Sequence, residues 1–198
     1  MLSYTTQFNK SLKNVLDKVS NISDEDFEAF ALLWSVHQIS KKTKLLNKGQ
    51  QEEYLYFILE GVQRIYYYDE QNREATIIFT YANSFGGVID SFLNRTKSKY
   101  FHEALSDSVI FKMHYADFIR LNREKPELAL LIQKLLSLTI AGLLDRLVEM
   151  QCYSAEDKFK RMLSRSPHML HLVPQKYLAN YLGIDPTNFS KFINRIKI

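Results

Sequence analysis

Cysteine is nearly missing from this chain of 198 residues: Cys152 is the single one. One thiol cannot close an intramolecular disulfide, and iron–sulfur or structural zinc sites need several thiolates. Cys152 is expected to be a buried free cysteine; a redox role stays open if its surroundings lower its pKa. Also missing is a charge-free apolar run of eighteen residues, and the opening MLSYTTQFNKSLKNVL does not read as a signal peptide. The expected location is the cytoplasm, with no membrane partner. There is no P-loop, dinucleotide fingerprint, nucleophile elbow or Ser-His-Asp order, so an enzyme is not expected. His102, His114, His168 and His171 match no metal-ligand spacing; structural or surface roles are expected of them, with no metal.

What the chain does contain is ordinary for a globular protein: 46% hydrophobic and 24% charged residues, with thirteen Phe and twelve Tyr to build a core. Length allows one large domain or two modest ones. The net charge of +4 is unevenly spread. From Tyr153 onward eight cations face three anions, so that stretch holds +5 and everything before it −1. A basic excess confined to the C-terminal quarter is the footprint of a domain that meets phosphate.

Residues 1 to 34 read as helices. Phe8, Leu12, Val15, Leu16 and Val19 make one stripe, and Ser23 with Asp26 forms a capping box before Phe27, Phe30, Leu33 and Trp34. From about Val36 to Met113 the period shortens to two. Strands are expected at 44–46, 54–59, 62–68, 75–81, 101–105 and 109–113, with 69–73 as a hairpin loop. Many short strands at regular spacing suggest an antiparallel barrel or jelly roll whose mouth could hold a small ligand.

A short helix is expected at 115–123, then a long one from Pro126 to about Cys152. In it Leu136, Ile140, Leu143, Leu147 and Met150 are spaced 4, 3, 4, 3, the rhythm of a coiled-coil seam. Leu128, Leu131, Leu135 and Leu138 form a second stripe on another side. A helix that is apolar on two sides must be covered on two sides. It is either a core helix of one domain or, as we favour, a helix with one stripe on the barrel and the other on a second subunit. Ser154 then caps a helix over 155–163, with Asp157 completing the box.

The last twenty-five residues, PQKYLANYLGIDPTNFSKFINRIKI, read as helix, tight turn, helix. Pro174 suits a helix start, and Tyr177, Leu178, Tyr181 and Leu182 share a face. Gly183 permits the positive φ that ends a helix, Asp185 can cap the next, and Phe189, Phe192, Ile193 and Ile196 keep the helical period. This is a helix-turn-helix pattern, although a plain α-hairpin with a solvated face would share it. The polar remainder of the second helix is Thr187, Asn188, Lys191, Asn194, Arg195 and Lys197. Thr, Asn and Lys can read base edges, and Arg195 and Lys197 would more naturally meet phosphate.

Gly49, then Tyr56-Phe57-Ile58 with Gly61, then Phe85-Gly86, then Tyr177-Leu178-Ala179 with Tyr181-Leu182-Gly183-Ile184, then Pro186-Thr187 with Phe189-Ser190-Lys191 stand in an order and spacing that resembles the Crp/Fnr family of bacterial transcription regulators. The resemblance covers roughly residues 40 to 198 and looks like the short C-terminal form found in Bacteroidetes. It implies an α+β protein: an N-terminal cyclic nucleotide-binding-like β-barrel or jelly roll over 1–125 with N-terminal helices, a long dimerisation helix over 126–152, and a C-terminal winged-helix-like helix-turn-helix over 153–198. It implies a homodimer that places its second helix in the major groove, with Thr187, Asn188 and Lys191 at the base-reading positions. Half-sites would then lie one turn, roughly 34 Å, apart. Double-stranded DNA and a second copy are the implied partners; RNA polymerase and an unidentified small-molecule effector are candidates.

At the effector site the chain departs from the family. Cyclic-nucleotide binders follow Phe-Gly with Glu for the ribose hydroxyl, and Gly87 stands there. They hold the cyclic phosphate with Arg followed by Ser or Thr. Arg95-Thr96 comes several residues early, and Ser98-Lys99 sits near the place without a guanidinium. The candidate effector pocket is Phe85, Gly86, Gly87, Ser98 and Lys99; no cofactor is expected and cyclic AMP is not the expected ligand. Gly86-Gly87 is either a turn or a pair of N–H donors for an anion. The competing reading is a small-molecule-binding or adaptor protein whose helix-turn-helix makes protein contacts instead.

Overall fold

The computed structural model describes residues 2–195. Two helices open the chain, α1 (Leu2–Leu16) and α2 (Asp24–Ala31). Ser23 caps α2 as its sequence implies, its hydroxyl accepting the Asp26 N–H at 3.1 Å. Among the described residues eight strands follow: β1 (Ser35–Ile39), β2 (Lys44–Leu46), β3 (Tyr54–Glu60), β4 (Val62–Tyr68), β5 (Glu74–Tyr81), β6 (Ser84–Gly86), β7 (Phe101–Ala104) and β8 (Ser108–His114). Between β6 and β7 runs α3 (Ile89–Asn94), and after β8 come α4 (Tyr115–Glu124) and α5 (Pro126–Cys152). The C-terminal helices are α6 (Ala155–Arg165), α7 (Met169–Leu172), α8 (Gln175–Leu182) and α9 (Pro186–Arg195).

The strands form two four-stranded sheets, in the orders β1-β8-β3-β6 and β2-β7-β4-β5, the antiparallel jelly roll expected from the two-residue period. β1 and β6 escape the sequence reading. Ser-Val-His-Gln-Ile has too few apolar residues to stand out, and the three residues of β6 read as a turn motif instead. The Asp69 carboxylate closes the β4–β5 loop by accepting the N–H groups of Gln71 and Arg73.

The register assigns the faces of the first sheet. Phe57 lies opposite Phe111 and Ile58 opposite Ile110, so alternate residues separate two environments. Phe57, Leu59, Phe111 and Met113 join Phe8, Leu12, Leu16, Phe27, Phe30 and Trp34 in a core under the helices. Phe8 stacks on Phe111 at 3.9 Å and meets Phe57 edge-on at 5.5 Å. Tyr56, Ile58 and Ile110 form a smaller cluster on the other face.

The chain divides into two compact units, residues 1–65 with 79–138 and residues 66–78 with 139–198. The outer part of the β4–β5 hairpin thus groups with the C-terminal helices. In the first unit Leu128 and Leu131 of α5 are buried and Leu135 is half-buried against the helix-side core. The stripe stops there: Leu138, expected to continue it, is 60% exposed because that core ends at Leu135. By length and composition alone α5 is apolar enough to cross a membrane; Lys134 and Asp145 are what break its apolar run in sequence. Cys152, expected to be buried, is exposed, since the last turn of α5 carries no apolar cover over it. No strand follows β8 among the described residues, so the C-terminal segment is helical and shows no hairpin wing. The stretch 166–174 lacks the alternation a strand needs.

Candidate functional site

The helix-turn-helix is built as its turn chemistry dictates. α8 ends at Gly183, whose φ of 61° is the left-handed cap; a Cβ there would stand 2.7 Å from Met150 Cε. Ile184 is buried, and Asp185 caps α9 by accepting the N–H groups of Thr187 at 2.9 Å and Asn188 at 3.2 Å. Phe189 is buried edge-on against Phe159 of α6 at 5.2 Å, with Phe192 on the same ring. Ser154 caps α6, accepting from the Asp157 N–H and donating to its carboxylate. With its inner face fixed by phenylalanine, α9 turns Thr187, Asn188, Lys191, Asn194 and Arg195 outward, all of them exposed. Lys191 and Arg195 make no ion pair among the described residues. Lys197 lies outside the described residues.

Three cations of α6 are spent internally. Arg165 donates to Glu149 at 2.8 Å, Arg161 stands 3.8 Å from the same carboxylate, and Lys160 pairs with Glu156. Two further residues fix α8. The Asn180 side chain accepts the Thr76 N–H at 2.6 Å and donates to the Glu74 carbonyl at 2.7 Å, so one amide pairs with the free edge of β5 as a strand would. Arg146 of α5 donates to the Tyr181 carbonyl at 2.6 Å and lies 3.4 Å over the Tyr181 ring. Sequence reasoning missed both. Asn180 looks like any polar helix position; Arg146 and Glu149, charges inside an apolar helix, were a signal that part of its surface meets protein.

Of the seam residues, Leu136 is half-buried, whereas Ile140, Leu143, Leu147 and Met150 are exposed, Ile140 by 58% and Leu147 by 53%. Leu144 and Val148 widen the strip. Met150 also packs on the Gly183 turn of its own chain.

The five residues expected to form the effector pocket have different immediate neighbours, and none of them lines the cavity described below. Phe85 faces the helix-side core, 5.3 Å from Phe57 and 6.0 Å from Trp34. Gly86 lies against Ile58 and Thr80. Gly87 has φ 112°, and a Cβ on it would meet the Tyr54 carbonyl at 3.1 Å and the Tyr56 ring at 3.2 Å. A family-type Glu would be strained by the backbone at this position and would press on Tyr54 and Tyr56. Ser98 is buried and folds onto Tyr100, donating to its carbonyl and accepting its N–H; Lys99 points to solvent. Arg95, the other candidate for phosphate, is a structural clamp. It donates to the Glu52 carbonyl at 2.9 Å and to the Glu53 carboxylate at 2.6 Å, and stacks on Tyr115.

A cavity does exist elsewhere in the barrel unit. It has a volume of about 340 Å³ and is bounded by β1, β2, the 50–53 segment, the start of β3 and β8. Its wall includes Glu52, another residue sequence reasoning passed over. Burial pushes the Glu52 carboxyl up to about 7 although Tyr54 N–H, Val88 N–H and the Tyr56 hydroxyl all donate to it. Tyr56 meets His102 edge-on at 5.3 Å. Neither ring nitrogen of His102 has a hydrogen-bond partner among the described residues, and burial holds it neutral, its pKa lowered to about 3. His114 has a separate task, capping α4 through Nδ1 at 3.2 Å from the Ala116 N–H.

Residues 36–125 match the cyclic nucleotide-binding domain family. The chain as a whole has the fold of the Crp/Fnr-type regulators. Three solved structures show how far that fold extends beyond the domain. The c-di-GMP responsive global regulator CLP of Xanthomonas campestris is 14% identical, with a TM-score of 0.66 over 87% of this chain and 91% of that one. FixK2 from Bradyrhizobium japonicum is 15% identical, with a TM-score of 0.68 over 82% and 83%. The catabolite activator protein of Thermus thermophilus is 16% identical, with a TM-score of 0.58 over 91% and 85%. No curated protein matches the chain by sequence. Within the matched residues 36–125, Gly87 holds a left-handed backbone that strains any side chain, and Arg95 is engaged by Glu53.

Proposed function

We propose that this chain is a homodimeric, sequence-specific DNA-binding transcription regulator of the Crp/Fnr type that works without cyclic AMP. One observation carries the reading: α9 is fixed from beneath by Phe189 and presents Thr187, Asn188, Lys191, Asn194 and Arg195 to solvent, its cations Lys191 and Arg195 without an ion pair among the described residues, whereas Lys160, Arg161 and Arg165 of α6 face Glu156 and Glu149. Thr187, Asn188 and Lys191, in the first half of α9, are the base-reading set; Asn194, Arg195 and Lys197 meet the phosphates. Residues 126–152 are the dimerisation segment, paired through Ile140, Leu143 and Leu147 with the same strip of a second copy, and 153–198 the DNA-binding part. Covered in that way, α5 needs no membrane, in keeping with a fold shared with soluble bacterial regulators. The barrel senses a ligand other than cyclic AMP or none, and RNA polymerase is a partner the family likeness adds.

The test is the salt dependence of binding to a random-sequence duplex. A DNA-binding α9 gives log K falling linearly with log salt, by about 0.9 for each phosphate neutralised. A flat response, or no binding at low salt, would assign α9 to protein contacts instead.

A further inference from the structure

The charges around the barrel cavity do not balance. Its apolar surface comes from Ile39, Leu45 and Ile110, and Tyr54 and Tyr56 add two aromatic faces. Of the acids at its edge, Glu53 is held by Arg95 and Gln51, and Glu52 by the three donors already described. Lys44 is paired with Glu103. Lys112 is left over. It lies opposite Tyr56 in the β3–β8 register, half-buried, with Nζ 4.4 Å from the centre of the Tyr54 ring and no ion pair among the described residues. Beside it His37, opposite Ile110 in the β1–β8 register, also lines the cavity. His37 Nε2 shares a hydrogen bond with the Ser35 hydroxyl at 3.2 Å, which leaves Nδ1 for a ligand, and burial and the Lys112 charge lower the pKa of the ring.

A half-buried cation without a counter-ion, above an apolar floor, favours an anion that brings its own apolar surface. The size of the space, near the lower end for small-molecule sites, limits that anion to a compact one. The single free ammonium limits its charge: a phosphate monoester carries about −1.5 to −2 at neutral pH and would be left half neutralised, whereas a carboxylate carries one charge. We propose that this cavity binds a small organic carboxylate, its anionic group on Lys112 and His37 and its apolar body against Tyr54, Tyr56 and Ile110. The site is separate from the Gly86-Gly87 turn, with Tyr56 common to the walls of both. It does not depend on the DNA-binding reading, because occupancy is measured on the free protein.

The probes are benzoate, its neutral isostere benzamide, and inorganic phosphate, titrated into the full chain while the methyl resonances of Ile39 and Ile110 are followed. Benzoate should shift both methyls saturably in the millimolar range, about tenfold more tightly than benzamide, and phosphate should not displace it. Lys112→Met should weaken benzoate by about tenfold or more with the remaining methyl spectrum intact, and Lys112→Arg should retain binding. Unmoved methyls at about 20 mM benzoate, benzamide binding as tightly as benzoate, or an unaltered affinity in Lys112→Met would each overturn the assignment, as would displacement by phosphate.

Discussion

In the first half of α5, Leu128 and Leu131 are buried under the helices that cover the barrel; in the second half, Ile140, Leu143, Leu144, Leu147 and Val148 stand in solvent. The two halves have much the same leucine-rich sequence. The difference lies in what the rest of the chain supplies. α1, α2 and α4 provide a complementary apolar surface for the first half, whereas the second half meets polar anchors of its own unit, Arg146 on Tyr181 and Glu149 with Arg165. Each exposed aliphatic side chain forgoes about 1.5–3 kcal/mol of burial, and a two-fold axis would recover that twice over. Apolar periodicity thus states that a face must be covered; it does not state by which chain.

The contrast can be broken most forcefully at the exposed half. Leu147→Asp should convert a dimer to a monomer and reduce specific DNA affinity by about a hundredfold or more, with the barrel unit still folded. Sedimentation velocity with a parallel binding isotherm checks both. In the buried half, Leu131→Ala should cost about 2–5 kcal/mol of unfolding free energy in urea titrations, independent of protein concentration, whereas Leu147→Ala should lower stability in a concentration-dependent way. The reverse pattern would mean that the two halves have been assigned the wrong partners.

A second contrast lies between two buried groups that meet at Tyr56. Glu52 has its pKa raised to about 7 by burial, so it favours the fold when protonated. That contribution is complete below the ordinary value of 4.5 and is lost as pH rises through 7. His102 runs the other way. Held neutral with a pKa near 3, it costs nothing above its ordinary 6.5 and destabilises the fold as pH falls from there toward 3. Glu52→Gln should therefore flatten the loss of stability between about pH 5 and 8, by up to about 3 kcal/mol, as shown by urea midpoints across pH. His102→Leu, which removes two unsatisfied nitrogens, should raise stability on the acid side.

On α9 the effects are smaller and differ in kind. Lys191→Ala should cost about 1–3 kcal/mol on the preferred site and relax base preference, and Arg195→Ala should weaken all sequences alike and lower the salt slope by about one. Equal losses on every duplex for both variants would contradict the division of roles. Asn180→Ala touches no DNA; it removes the pairing with β5 and should lower affinity through the position of α8 by about 1 kcal/mol.

Much of this architecture was legible because local signals agreed with the tertiary structure. Ser23, Ser154 and Asp185 cap the helices they precede, Gly183 takes the φ its turn requires, and α5 spans Pro126–Cys152 as its period implies. The illegible parts depend on long-range neighbours. Nothing local marks β1 as a strand, and its identity comes from pairing with β8. Phe85 reads as a pocket residue until the sheet register turns it to the helix side. Arg95 looks available for phosphate until Glu53, forty-two positions away, is seen to hold it. Gln38, Lys112 and Gln50 meet at a cavity only after closure of the barrel.

The proposed regulator reads DNA as a two-fold dimer with no need of cyclic AMP. Selection of bound duplexes from a random pool at about physiological salt, by the full chain alone and again with cyclic AMP, tests it directly. The same enriched palindrome is expected in both, with half-sites about one helical turn apart. A non-palindromic or absent enrichment, or a palindrome that emerges only with cyclic AMP, would contradict it.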